Sequence, residues 1–108
     1  MAFSVLLTHA AAEDMESLYD YIATSDAPEK ANRWLDQIEK TVESLKENPE
    51  RGRYPKELLE IGLKEYREIY FKPYRIIYRI MDKKVFIMLI TDGRRDMQTL
   101  LERRLLSM

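Results

Sequence analysis

One stretch of the sequence, residues 74–95, decides the fold; it reads YRIIYRIMDKKVFIMLITDGRR. Two hydrophobic segments, Tyr74–Met81 and Lys84–Thr91, flank the polar pair Asp82-Lys83, which is typical of two antiparallel strands joined by a tight turn. Arg75 and Arg79 occupy positions within the first strand. Arginines at strand positions are expected to present guanidinium groups to an anion, so the nature of that anion is the central question for function.

The two strands differ in how their side chains divide between the faces of the sheet. Successive side chains of a strand point to opposite faces. Lys84–Thr91 is apolar on both faces, which predicts a central strand. In the other strand, one face carries Tyr74, Ile76, Tyr78 and Ile80, and the opposite face carries Arg75, Ile77, Arg79 and Met81. We expect the arginine-bearing face to be partly open.

A third strand and a last helix extend this hairpin in both directions. Glu65–Phe71 is a β-prone segment joined to the hairpin by Lys72-Pro73, which predicts an antiparallel meander of three strands. After the hairpin, Gly93 ends the strand and Asp96 is suited to cap a final helix. Residues 49–63, before the meander, predict a connector that packs back on the body.

Two amphipathic helices dominate the N-terminal half. Phe3–Leu7 predicts a short strand before them, and Thr8 is suited to cap a helix over residues 9–24. A second helix is expected to begin at the cap Asp26 and to end at Asn48-Pro49, because a proline disfavours helical conformation in the residue before it.

The predicted order of elements is therefore β-α-α-β-β-β-α. Consecutive helices followed by consecutive strands indicate an α+β fold, in which an N-terminal helix hairpin packs on a small antiparallel sheet and a short helix closes the chain. The length of 108 residues is that of one ordinary domain, so residues 1–108 are expected to form a single domain.

Composition excludes several kinds of site. The chain has no cysteine and one histidine, so disulfides, thiolate metal sites and the usual imidazole metal sites are not expected. No Ser-His or Cys-His nucleophile and no glycine-rich phosphate loop is visible, and no cofactor is expected. The longest apolar run is too short to span a membrane, and the N-terminus lacks the pattern of a signal peptide. These features predict a cytoplasmic protein without a membrane partner.

The charge is divided unevenly along the chain. The net charge is −1, but residues 1–50 carry −7 and residues 51–108 carry +6. Such an asymmetry favours an acidic or nucleic-acid partner for the basic half, or attraction between the two halves of the fold.

Basic and aromatic side chains of the predicted sheet are the candidate site residues. Arginine binds phosphate and carboxylate with two parallel hydrogen bonds, and tyrosine rings stack on bases. Three interpretations stay open: phosphate binding, binding of an acidic protein, and internal pairing of Arg75 and Arg79 with Glu65 and Glu68. The candidates are Arg67, Lys72, Arg75, Arg79, Arg94 and Arg95, interleaved with Tyr66, Tyr70, Tyr74 and Tyr78.

Several short motifs, taken in their order and spacing, resemble one known family over nearly the whole chain. The motifs are Leu7-Thr8 with Ala11 and Ala12, Tyr19-Asp20-Tyr21-Ile22, Asn48-Pro49-Glu50-Arg51-Gly52, Tyr66-Arg67-Glu68, Tyr74-Arg75-Ile76-Ile77-Tyr78-Arg79 and Asp92-Gly93-Arg94-Arg95-Asp96. They resemble the toxins of the RelE/ParE superfamily of type II toxin–antitoxin systems, also described as plasmid stabilisation proteins. The resemblance implies a small antiparallel sheet backed by a helix hairpin.

The superfamily includes two activities, and this sequence matches only part of the residue pattern of the first. RelE-like members cut messenger RNA on the ribosome, and Arg75 and Arg95 match their arginines; these two are the candidate catalytic residues of a ribonuclease. The RelE strand lysines fall at about Tyr66 and Glu68, and the C-terminal tyrosine falls near Leu101. An acidic residue in place of a catalytic lysine would repel phosphate. This favours a ParE-like toxin, which inhibits DNA gyrase.

The resemblance also implies partners. A cognate antitoxin is expected, with DNA gyrase as the target or, alternatively, the ribosome and mRNA. A homodimer or a heterotetramer with antitoxin would fit the family, and a chain that has lost toxicity and only binds antitoxin is a further alternative. The residues expected to bind target or antitoxin are Arg67, Arg75, Arg79, Arg94 and Arg95.

Overall fold

The computed structural model describes residues 2–106 as a sheet with helices on both faces. The strands are β1 (Ser4–Leu7), β2 (Arg67–Phe71), β3 (Tyr74–Met81) and β4 (Lys84–Asp92). The helices are α1 (His9–Ser25), α2 (Pro28–Glu43), α3 (Lys56–Leu59) and α4 (Met97–Leu101); a 3₁₀ turn, Ser44–Lys46, extends α2, and a π-helical turn, Glu102–Leu106, extends α4. The predicted order of strands and helices is confirmed, and α3 is an added turn within the connector.

The predicted caps are right for two helices and wrong for the third. The Thr8 hydroxyl accepts from the Ala11 amide at 3.1 Å, and it donates to the Ile87 carbonyl at 3.0 Å. Asp96 accepts from the Thr99 amide. Asp26 does not cap α2: it follows the end of α1, where its amide donates to the Ile22 carbonyl.

The second helix begins and ends differently from its sequence signals. Ala27 holds the cap position without a side-chain hydrogen bond, and Pro28 follows as the first helical residue. Proline lacks an N–H, so the first turn has one donor fewer to satisfy. The α-helix ends at Glu43, before the Asn48-Pro49 signal, because the chain tightens into the 3₁₀ turn.

The strand order of the sheet is β1-β4-β3-β2. The meander from β2 to β4 is antiparallel, as the sequence predicts, and β4 lies centrally between β1 and β3. The first strand pairs parallel to β4, with Ser4 opposite Lys84 and Leu7 opposite Ile87. The sheet is therefore mixed, with β1 and β2 at its two edges.

The predicted division of side chains between the two faces of β3 is confirmed. Ile76 and Tyr78 pack in a core with Trp34 and Ile38 of α2, so the helix hairpin covers this face. Ile77 packs on the opposite face with residues of β4, α3 and α4. That second core consists of Leu58, Tyr66, Ile77, Leu89, Met97, Leu100 and Leu101. The arginine-bearing face is thus covered around Ile77 and Arg75 and exposed toward Met81.

Side chains form hydrogen bonds with backbone groups of β4 beyond the end of β1. The first strand ends opposite Ile87, while β4 continues to Asp92. An Asp14 carboxylate oxygen accepts from the Ile90 amide at 3.1 Å, and Arg104 donates to the Met88 carbonyl at 2.9 Å. The two side chains also pair with each other at 2.9 and 3.0 Å. This contact closes the edge and holds the last turn against α1.

Tyr78 links the sheet to the connector from the centre of the molecule. Its fully buried hydroxyl accepts from the Gly52 amide at 3.0 Å and donates to the Pro49 carbonyl at 2.6 Å. A Cβ at Gly52 would lie 2.7 Å from the Glu68 carbonyl oxygen, so only glycine fits this approach.

Tyr78→Phe is expected to lower the free energy of unfolding by about 1–3 kcal/mol, because it leaves two backbone groups without their partner. Urea unfolding followed by circular dichroism measures this change. Tyr21→Phe is the matched control, because Tyr21 is 68% exposed and should change stability by less than about 0.5 kcal/mol. Equal losses in the two variants would contradict the assignment.

Candidate functional site

Arg75 is the centre of the arginine-bearing face, and two carboxylates of the chain enclose it. Its Nε donates to Glu68 Oε1 at 2.7 Å, and Nη1 and Nη2 donate to the two oxygens of Glu57 at 2.9 and 2.8 Å. Nη2 also lies 2.6 Å from Glu68 Oε1. The side chains of Arg75 and Glu68 are 9% and 2% exposed. Most of the N–H donors of this guanidinium are therefore used inside the protein.

These contacts stabilise the charged forms of Arg75 and Glu57. The hydrogen bonds with Glu57 raise the pKa of Arg75 above its ordinary value, although burial opposes this change. The hydrogen bonds from Arg75 lower the pKa of Glu57. Arg75, Glu57 and Glu68 thus form a triad in which one guanidinium faces two carboxyl groups.

A second layer of contacts joins the triad to the surface. The Tyr70 hydroxyl donates to Glu68 Oε2 at 2.8 Å, and Arg53 Nη2 donates to the Tyr70 hydroxyl at 2.8 Å. The guanidinium carbons of Arg53 and Arg75 lie 5.0 and 5.9 Å from the centre of the Tyr70 ring. Arg53 is largely exposed and brings positive charge to the rim of the site.

Arg67 and Arg79 lie at the other end of the sheet. Arg67 donates to the Gly52 carbonyl at 2.8 Å and lies over the Tyr54 ring at 4.7 Å, so it ties the connector to β2. Arg79 lies 3.7 Å from Glu65. Both arginines line a cavity of about 300 Å³. Arg79 therefore pairs within the chain, as the interpretation of internal pairing predicts.

Arg94 and Arg95 follow the last strand. Arg94 forms two hydrogen bonds with the Asp92 carboxylate, at 2.9 and 2.5 Å, and these bonds lower the pKa of Asp92. Arg95 is exposed, and its Nη1 approaches the Thr91 hydroxyl at 3.4 Å. Arg94 lines the same cavity as Arg75, about 410 Å³ in volume, whereas Arg67 and Arg79 line the other cavity. The five candidate arginines do not converge on one point.

The connector supplies residues that sequence reasoning missed. Glu57 of α3 binds Arg75, and Arg53 and Lys56 line the same cavity as Arg75. The only sequence signal is a cluster of charges beside Leu58, which is buried and holds α3 on the sheet. Nothing in the spacing of these charges indicates which strand residue they contact.

Residues 2–106 were compared with the geometry of metal sites and with the length of a bilayer-spanning helix. Residues 2–106 contain no group of three or more His, Asp or Glu side chains placed to hold a metal ion. Across the same residues, no helix combines the length and hydrophobicity needed to cross a bilayer.

The sequence and the fold place the chain in one class of protein. The sequence model of the ParE toxin of type II toxin–antitoxin systems matches residues 5–97. The chain belongs to this family, and it is a type II toxin of the RelE/ParE superfamily, as the sequence predicts. No curated protein sequence matches the chain.

Solved structures show the same fold. The chromosomal ParDE toxin–antitoxin system of P. aeruginosa has 22% identity and a TM-score of 0.70, covering 84% of this chain and 96% of that one. The RelBE2 toxin–antitoxin complex of Mycobacterium tuberculosis has 19% identity and a TM-score of 0.62, with coverages of 85% and 92%. A mutant of E. coli toxin RelE in the free state has 17% identity and a TM-score of 0.64, with coverages of 97% and 100%.

Arg75→Met is expected to cost about 3–5 kcal/mol in the free energy of unfolding, because it leaves the buried Glu68 and the adjacent Glu57 without their cation. Arg79→Met is the matched control: its ion pair is longer and partly exposed, so its loss should cost less than about 1 kcal/mol. Chemical unfolding of both variants measures the difference. A small, equal loss in both would show that the triad contributes little.

Glu57→Gln is expected to make stability less dependent on pH. The folded pKa of Glu57 lies below its ordinary 4.5, so its contribution is complete above that value and is lost as the pH falls through the folded pKa. The deficit of Glu57→Gln relative to the wild type should therefore shrink between about pH 7 and about pH 3. A deficit that stays constant over this range would contradict the ion pair.

Proposed function

We propose that this toxin inhibits DNA gyrase, is neutralised by a cognate antitoxin and does not cleave RNA. The observation that carries the proposal is the enclosure of Arg75. In the resemblance to RelE, Arg75 matches the strand arginine of the ribonucleases. Here that side chain binds Glu57 and Glu68, so it has little capacity left to stabilise a phosphate.

Electrostatics support the same conclusion. Glu68 stands where the resemblance places a strand lysine, and the guanidinium of Arg75 faces two carboxyl groups. At an effective dielectric constant of about 20, two like charges about 4 Å apart repel each other by about 4 kcal/mol. A phosphate that approached the triad would have to displace a buried carboxylate, which is costly because the displaced carboxylate stays buried.

Apolar surface on β1 and the adjacent helix hairpin supports an antitoxin partner. Leu6 and Leu7 of the edge strand are 41% and 37% exposed. Leu7 and Met15 line a cavity of about 420 Å³, and Met15 also lines an adjacent apolar cavity. The similar P. aeruginosa and M. tuberculosis structures are a toxin–antitoxin system and a toxin–antitoxin complex. Exposed apolar surface of this kind is typical of protein interaction sites.

A gyrase supercoiling assay tests the proposal. The purified chain, added to gyrase, ATP and relaxed plasmid, is expected to reduce supercoiling or to trap cleaved DNA at micromolar concentration. Relaxation of the same plasmid by a type I topoisomerase is the control, because binding of the chain to DNA would affect both enzymes. Unchanged supercoiling at a large excess of chain would overturn the gyrase assignment.

Primer extension on translating ribosomes tests the absence of ribonuclease activity. We expect messages to stay intact. Codon-located cuts that disappear in Arg95→Ala would contradict the proposal and favour the ribonuclease alternative. Induced expression without any growth defect would instead favour a chain that only binds antitoxin.

A further inference from the structure

The central strand β4 has a stretch of edge that two side chains fill in place of a strand. On the side of β1, strand pairing reaches only Ile87, and no strand among residues 2–106 continues it along the rest of β4. There, Asp14 accepts from the Ile90 amide at 3.1 Å, and Arg104 donates to the Met88 carbonyl at 2.9 Å. A carboxylate oxygen and a guanidinium N–H thus stand where the carbonyl and amide groups of a neighbouring strand would lie.

The two side chains also hold each other in place. Two hydrogen bonds join the Arg104 guanidinium to the Asp14 carboxylate, at 2.9 and 3.0 Å, and the side chains are 21% and 19% exposed. Both residues line a cavity of about 710 Å³ between α1 and the turn that extends α4. The pair therefore borders solvent, and its opening would expose the edge of β4.

The strand beneath the pair has a composition that favours self-association once its edge is bare. Residues 85–91 read VFIMLIT and contain no charged residue, no proline and no glycine. An unpaired edge of such a strand is a template for pairing with another chain. Two identical edges can pair antiparallel about a two-fold axis, so a second copy of the chain would satisfy both edges at once.

We propose that Asp14 and Arg104 form an edge guard, which keeps the free edge of β4 from pairing with the same edge of a second copy of this chain. Charged side chains at a sheet edge oppose such contacts. A second copy would have to displace the guard and leave two partly buried charges without their backbone partners, which is costly. The inference goes beyond the proposed function and does not rest on it, because the guard lies away from the triad and its test contains neither gyrase nor ribosome.

Sedimentation velocity of the full chain over a range of concentrations tests the guard. Asp14→Ala with Arg104→Ala removes both charges together, so neither ion is left without its partner. Its self-association constant is expected to exceed that of the wild type by about tenfold or more, since two backbone groups regain partners only on association. Asp20→Ala with Arg103→Ala is the matched control, which makes the same substitutions at exposed positions and should behave as the wild type.

Hydrogen exchange of the Ile90 amide separates edge pairing from association through another surface. In the double-alanine variant at low concentration, this amide should exchange faster than in the wild type, because Asp14 no longer accepts from it. Its exchange should slow again as the larger species form. Larger species in which Ile90 still exchanges rapidly, or a folded variant that associates no more than the control, would overturn the proposal.

A single substitution decides the matter if circular dichroism shows that the double-alanine variant does not fold. Arg104→Gln leaves Asp14 on the Ile90 amide and frees the Met88 carbonyl, so it should self-associate more strongly than Arg103→Gln. Equal association of the two glutamine variants would contradict the edge guard.

Discussion

The enclosure of Arg75 by Glu57 and Glu68 is the interaction on which the arginine-bearing face depends. It joins three elements, since Arg75 lies on β3, Glu68 on β2 and Glu57 on α3. Glu68 is 2% exposed and would be a buried, uncompensated charge without this guanidinium. Gly93 also packs on the Arg75 stem, where a Cβ would lie 2.7 Å from Cδ. The triad therefore positions the connector and the turn after β4 together.

Other arginines of the sheet and its ends also have partners within the chain. Arg67 binds the connector, Arg79 lies near Glu65, and Arg94 binds Asp92. Lys56 on the connector and Lys72 in the turn after β2 are exposed and line the same cavity as Arg75. On a face that the sequence presents as a row of arginines, two carboxylates thus bind the central arginine.

Local patterns made much of the fold predictable. The β-prone residues of Tyr74–Met81 predicted the strand, and its two faces were also predicted correctly because successive side chains of a strand point to opposite faces. Contacts between residues that are far apart in the sequence were harder to predict. The parallel contact of β1 with β4 and the bond between Glu57 and Arg75 depend on the path of the whole chain, and neither leaves a local signature. The error at Asp26 has a local cause, since two adjacent residues compete for one cap position before Pro28.

The most direct test of the account is the Nε–H resonance of Arg75 in a ¹H–¹⁵N NMR spectrum, assigned by its loss in Arg75→Lys. The account predicts a slowly exchanging signal, because this N–H donates to Glu68 at 2.7 Å in a buried position. It also predicts that neither inorganic phosphate nor a short RNA shifts this signal. A signal that exchanges rapidly and moves on addition of phosphate or RNA would show that Arg75 is free to bind anions, which would contradict the account.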